Sequence, residues 1–253
     1  MNSNTVPGGL RLISDTLDDV ESLRIATENR HRSATNIWVG EDGVERGLGL
    51  DERNPIVATV AATLESLKAE EHRLTLQLQR EVRKTPFASW IATQKGVGEK
   101  QIARLLAVTG DPYINERTGE PRTLRQLWAY TGHAVDNGAA RRARKGMTQD
   151  ELFTLGRPDA KMRAYLVATS CVKASGDFRD VYDGERERYA DAVHTVECVR
   201  CGPSGHPAAV GSPLSAGHQH ARALRRVAKE ILRDLWVIAR EYHVGAVTVP
   251  LAA

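Results

Sequence analysis

Apolar positions along the chain recur mostly at three- and four-residue steps, with almost no two-residue alternation, so the pattern predicts a mainly α fold. Ser14 or Asp15 caps a first helix running to about Asn29, with Leu17, Val20, Leu23 and Ile25 as its apolar positions. A Gly-rich segment (Gly40, Gly43, Gly47, Gly49) then reads as a turn-rich linker or short hairpin. Asn54-Pro55 has the residue types of an N-cap and a first helical position. From there Val57, Val60, Leu64, Leu67, Leu74 and Leu78 trace a 3.5-residue seam to Lys84, interrupted by Glu71. The helix would be about 45 Å long, and the seam suits a two-helix hairpin, a dimeric coiled coil or an ordinary amphipathic packing face.

Beyond Thr85-Pro86 the helical segments are shorter. A helix PFASWIATQ is followed by Gly96-Val97-Gly98 and a second helix, EKQIARLLAV; a turn-rich stretch then leads to Thr123, which caps LRQLWAYTG. A Gly/Arg-rich loop covers 132–147. Thr148 and Glu151 form a capping-box pattern. KMRAYLVATSCVKA is an amphipathic helix, Asp177 to His194 a charged one, and a Cys/Gly/Pro/His loop at 195–217 precedes a last helix ending at Gly245. The organisation is an N-terminal helix and linker (1–52), a long coiled-coil-like helix (53–85) and a helical domain (86–245) carrying a candidate zinc loop at 195–220.

Composition narrows the class. The 253 residues are 41% hydrophobic with a net charge of +3, which excludes a wholly disordered chain. No apolar run is long enough to span a bilayer, and the first residues lack the pattern of a secretory leader. Three cysteines are too few for a disulfide framework, so a reduced cytoplasmic setting is expected. Charge is uneven: residues 96–170 carry twelve bases against eight acids. Within them Arg141, Arg142, Arg144 and Lys145 repel one another unless anions screen them, and nucleic-acid phosphate is a natural partner. A solvated loop is the plainer alternative.

Two constellations carry candidate chemistry. Gly96-Val97-Gly98 between two apolar helices matches a helix-hairpin-helix, in which glycines let the backbone approach phosphate and the next helix offers unpaired N–H groups. Lys95, Lys100 and Arg104 would add charge there, with Val97 packed inward. The alternative is a tight helical turn without a ligand. The second constellation is Cys198-x-x-Cys201 followed by His218 and His220, a donor set that suits tetrahedral structural zinc, with His206 or His194 able to replace one histidine. The loop has few large apolar residues, so a metal would order it. Cys171, Trp90, Trp128 and Trp236 read as core residues.

Taken in order, GVGEKQIARLLAVTGDP, LRQLWAYTGHA, KMRAYLVATS and AKEILRDLWVIAR resemble the C-terminal domain of DEDD/serine-type insertion-sequence transposases, the bridge-RNA-guided family, across about residues 55–243. The resemblance implies DNA binding, with structured RNA as a further partner, in transposition, recombination or a derived, nucleoid-associated role. That family also has an RNase H-like domain with four acids and a nucleophilic serine after the second motif. Only about fifty residues precede the long helix here, and Asp15, Asp18, Asp19 and Glu21 read as a solvated helix face. The loop TGHAVDNGAARRARKG holds no serine, Asp136-Asn137-Gly138 standing in that region. The expectation is therefore a DNA-binding relative that grips phosphates through the glycine turn and the basic loop, its enzymatic status open. The alternatives are a transposase subunit completed by a partner, and a protein that dimerises through the 55–84 helix and carries a structural zinc.

Overall fold

A computed structural model describes residues 5–136, 139–141, 143–199, 201–203 and 206–245. It is mainly helical, as the periodicity predicts. The chain divides into two compact units, Gly9–Glu81 and Met1–Gly8 with Val82–Ala253.

The smaller unit contains α1 (Leu10–Thr35), a short antiparallel hairpin of β1 (Trp38–Val39) and β2 (Glu45–Arg46), and most of α2 (Pro55–Arg83). Helix α1 starts at Leu10, ahead of the expected Ser14 or Asp15 cap, and continues beyond Asn29. Pro7-Gly8-Gly9 ends the preceding segment, and Leu10, Ser14 and Leu17 form one buried stripe at four- and three-residue steps. Leu23 and Ile25 are consequently exposed. At α2 the Asn54 side chain accepts from the Ile56 amide at 2.9 Å, the expected cap. Along the seam Val57, Leu64, Leu74 and Leu78 are buried, with Val60 and Leu67 half-buried. Glu71 occupies the seam position that the apolar pattern skips, where the Arg24 guanidinium of α1 binds it; Arg24 also reaches Glu28 at 2.9 Å.

The larger unit contains α3 (Ala88–Thr93), α4 (Glu99–Thr109), α5 (Leu124–Tyr130), α6 (Gln149–Phe153), α7 (Pro158–Ala174), α8 (Asp177–Arg188) and α9 (Ala216–His243), of which α6 buries no residue. Helix α7 packs against α4, α8 and α9, and α9 also packs against α5 and α8. Ala160, Ala164 and Ala168 repeat at four-residue steps on α7 and, with Val167 and Cys171, are buried. Such small side chains let neighbouring helices approach closely. Ile102, Leu105 and Leu106 of α4, Leu127 of α5, and Leu224, Val227, Ile231 and Leu235 of α9 are also buried. Thr123 with Gln126 and Thr148 with Glu151 form reciprocal capping boxes, starting α5 and α6. Between α5 and α6 a small hairpin pairs β3 (Val135–Asp136) with β4 (Ala139–Ala140).

The turn after α4 is fixed by Asp111, which is only 1% exposed. Its carboxylate accepts from Thr5 Oγ1 at 2.6 Å, His243 Nε2 at 2.7 Å, and the Tyr113 and Ile114 amides at 2.8 and 2.9 Å. Burial pushes this carboxyl up, but the hydrogen bonds from Thr5, His243, Ile114 and Tyr113 outweigh it and hold it below its ordinary value. Arg122 closes the same turn by donating to the Asp111 and Ile114 carbonyls. Asp111 thus joins the N-terminus, the α4–α5 turn and the end of α9. Asp111→Ala should cost about 3–5 kcal/mol in denaturant unfolding near neutral pH, because the groups it satisfied stay buried. A depressed carboxylate contributes stability above its unfolded pKa, so the deficit should narrow as pH falls below 3.8.

Candidate metal centre and basic surfaces

The residues between α8 and α9 contain little to bury: Val193, Val196, Val199 and Val210 are all exposed. Backbone pairing supplies an alternative order. The Leu214 amide donates to Ala192, the His194 amide to Ser212, and Cys198 and Ala208 exchange bonds of 3.0 and 2.9 Å. These cross-links form two antiparallel arms, and the Cys201 amide turns back onto the Cys198 carbonyl at 3.3 Å. One arm presents His194 and Cys198 inward, while the turn presents Cys201. Ser215 caps α9 by accepting from the His218 amide at 3.2 Å, which sets His218 in the first turn of that helix.

The result is a four-residue group, His194, Cys198, Cys201 and His218, whose ligand atoms all lie within 4.8 Å of one another. Cys198 Sγ and Cys201 Sγ stand 3.8 and 3.4 Å from His218 Nδ1. Zinc–sulfur and zinc–nitrogen bonds of usual length put such donors about 3.5 Å apart around a tetrahedron, so the spacing fits. His194 is 3% exposed, and its Nε2 has no hydrogen-bond partner among the described residues. A buried imidazole nitrogen without a partner, beside two thiols, has the chemistry of a metal donor. Burial pushes the Cys201 thiol up, but hydrogen bonds from Ser215 and Cys198 and the charge of Arg222 bring it below its ordinary value. The buried Cys171 thiol of α7, by contrast, is pushed up to about 11, as befits a core residue.

His220 is not in the group. Two residues along an α-helix rotate a side chain by about 200°, and His218 is already helical, so the pair cannot face one ion. His220 Nδ1 instead lies 2.7 Å from the Tyr182 hydroxyl of α8. His194, one of the two alternatives to His220, is in the group in its place, and His206 is exposed and outside it. Sequence reasoning ranked His220 first because it is adjacent; the better signal was His194 at four residues before Cys198 on an extended arm.

The glycine turn has a different geometry from the one its pattern suggests. Gly96 has φ +81°, and a Cβ there would sit 2.6 Å from Cys171 Cα and 2.8 Å from the Ser170 carbonyl oxygen. Its missing side chain therefore serves the close approach of the turn to α7. Val97 is buried as expected, and Gly98 is exposed with open space around it. Glu99 stands in the first turn of α4, its carboxylate bound by Nε and one terminal guanidinium nitrogen of Arg83 at 2.6 and 2.7 Å, so an anion already complements that helix terminus. Lys95 is exposed and Lys100 half-buried. Arg104 is 3% exposed and belongs to the core side of α4, which corrects its assignment as a surface cation.

In the basic loop Arg141 donates to the Thr154 carbonyl at 2.9 Å, and Arg144 and Lys145 are exposed; Arg142, like Asn137 and Gly138, lies outside the described residues. The loop is rooted at Gly132, where a Cβ would lie 3.2 Å from the Leu155 carbonyl oxygen and from Lys161 Cδ. This is the N-terminal end of α7, whereas the glycine turn contacts Ser170, Cys171 and Ala174 near its C-terminal end. Lys161 and Cys171 are ten residues apart, a rise of about 15 Å along α7. The two segments are therefore rooted at different ends of that helix.

No helix among the described residues is long and apolar enough to cross a membrane. No family model, curated protein or solved structure matches the chain.

The two glycines should separate in experiment. Gly96→Ala forces a side chain into a left-handed backbone and against α7, and should cost about 2 kcal/mol or more in unfolding free energy. Gly98→Ala, at φ −92° in open space, should change stability by well under 1 kcal/mol.

Proposed function

We infer that the larger unit is a zinc-stabilised helical module that holds nucleic acid by its phosphate backbone. The observation that carries the metal half is the convergence of His194, Cys198, Cys201 and His218 on one point, with His194 Nε2 otherwise orphaned. Bound zinc would contribute folding free energy and no chemistry, because the four protein donors complete its tetrahedron. His218 would anchor the start of α9 to the arms carrying His194 and Cys198. Support for the nucleic-acid half comes from the exposed Arg144 and Lys145, from Arg141 in the same loop, and from the transposase-like order of motifs.

Three roles suggested by the sequence stay apart from this reading. The loop lacks the serine nucleophile, Gly96 is used in packing, and the apolar seam of α2 has its main residues buried within the chain. Binding without strand chemistry is accordingly the reading that the residues favour.

Two measurements test it. The purified protein should carry one zinc per chain by mass spectrometry of metals. Each ligand supplies about a quarter of a total near 10–16 kcal/mol, so His194→Ala or Cys198→Ser should weaken zinc affinity about 100-fold or more. His220→Ala should retain full affinity; loss there with retention in His194→Ala would overturn the ligand set. For nucleic acid, binding of a fluorescent 20-base-pair duplex should fall with salt, the logarithmic slope being about −0.9 per phosphate contacted. No detectable binding at low salt would remove the nucleic-acid reading and leave the metal centre standing.

A further inference from the structure

The turn that carries Cys201 is built for a second chemistry besides metal binding. The Cys201 amide donates to the Cys198 carbonyl at 3.3 Å, so the two residues close a tight turn. Residues three apart across such a turn have Cα atoms under about 7 Å apart, and a disulfide spans about 4.4–6.8 Å. The two sulfurs already lie within 4.8 Å of each other, so bonding asks for side-chain rotation with little backbone movement. Access to them is unequal. Cys198 is 6% exposed on its arm, whereas Cys201 is half-buried on a turn whose Val199 is 85% exposed. Cys171 cannot compete, because it is fully buried in α7. The Cys201 sulfur also stands 3.0 Å from Ser215 Oγ, the same oxygen that accepts from the His218 amide to cap α9.

We propose that Cys198 and Cys201 are a peroxide-responsive thiol pair, whose oxidation to a disulfide empties the metal centre and loosens the start of α9. This rests on the zinc reading above and gives that site a control. Cys201 is the entry point, being the more accessible of the two. Its thiolate attacks one oxygen of hydrogen peroxide: an S–O bond forms, the O–O bond breaks, and hydroxide leaves to be protonated to water. Cys198 then attacks the Cys201 sulfur, so that an S–S bond forms, the S–O bond breaks, and a second hydroxide leaves as water. Counted from the thiols, two electrons and two protons pass to the peroxide, which becomes two waters. The disulfide consumes the same two sulfurs that hold a metal as thiolates, so the two states exclude each other. His194 and His218 alone are too few for a tetrahedral site. Drawing the Cys201 sulfur toward Cys198 also draws it away from Ser215, which couples the turn to the cap of α9. The exposed valines of the arms cannot replace the lost anchor.

The test treats the zinc-loaded full chain with hydrogen peroxide while a colorimetric chelator reads free zinc. Release should reach one zinc per chain, in step with the loss of two reactive thiols. Trypsin cuts after Arg200, between the two cysteines, so the disulfide should hold the two flanking peptides together until a reductant separates them. Dithiothreitol with added zinc should restore the bound metal. Amide hydrogen exchange in the arms and in the first turn of α9 should quicken about tenfold or more on oxidation, while α4 and α7 exchange as before. Cys171→Ala should release zinc as the wild type does. In Cys198→Ser, Cys201 should instead accumulate as the sulfenic acid, trapped by dimedone. Zinc retained under excess peroxide, release without the linked peptide pair, or unchanged exchange in the first turn of α9 would overturn the switch. A chain that binds no zinc before treatment would remove the underlying zinc reading, and the proposal with it.

Discussion

Four side chains, His194, Cys198, Cys201 and His218, converge with their ligand atoms within 4.8 Å of one another in a segment that has almost no apolar surface to bury. The two arms between α8 and α9 expose their valines, so their stability has to come from backbone pairing and from the point where His194, Cys198, Cys201 and His218 converge. Because His218 belongs to the first turn of α9, ordering those arms also fixes where that helix begins. Helix α9 in turn packs against α5, α7 and α8, and its far end meets Asp111 through His243. The four converging side chains and the Asp111 junction therefore lie at opposite ends of α9.

Helix α7 imposes the second constraint. Its alanines allow α4 and α9 to close on it, and Gly96 lets the turn before α4 do the same. This close packing separates two positively charged segments that look alike in sequence. The glycine turn ends up beside the C-terminal part of α7, and the basic loop is rooted near its N-terminal end.

Much of the architecture was legible because it depends on local rules. The seam of α2 is visible in its spacing, and even the break at Glu71 has a local trace, although its meaning needs Arg24 from another helix. Thr123, Thr148 and Asn54 cap where their residue types predict. Cys198, Cys201 and His218 could be read as ligands from spacing alone. His194 was ranked below His220 because its approach depends on pairing across two arms, and because sequence adjacency takes no account of helical rotation at His220. The start of α1 was misplaced for a related reason: its buried stripe includes Ser14, a polar residue that apolar periodicity leaves out. Gly96 was visible as a glycine that matters, but the backbone it approaches comes from Ser170 and Cys171, more than seventy residues later.

The central claim is that the four converging side chains hold zinc as two thiolates and two imidazoles. Zinc K-edge absorption on the purified protein addresses that coordination directly. The account predicts two sulfur neighbours at about 2.3 Å and two nitrogen neighbours at about 2.0–2.1 Å, with no bound water. A shell containing only oxygen and nitrogen, or a zinc-free protein whose 190–220 segment is equally ordered, would contradict it.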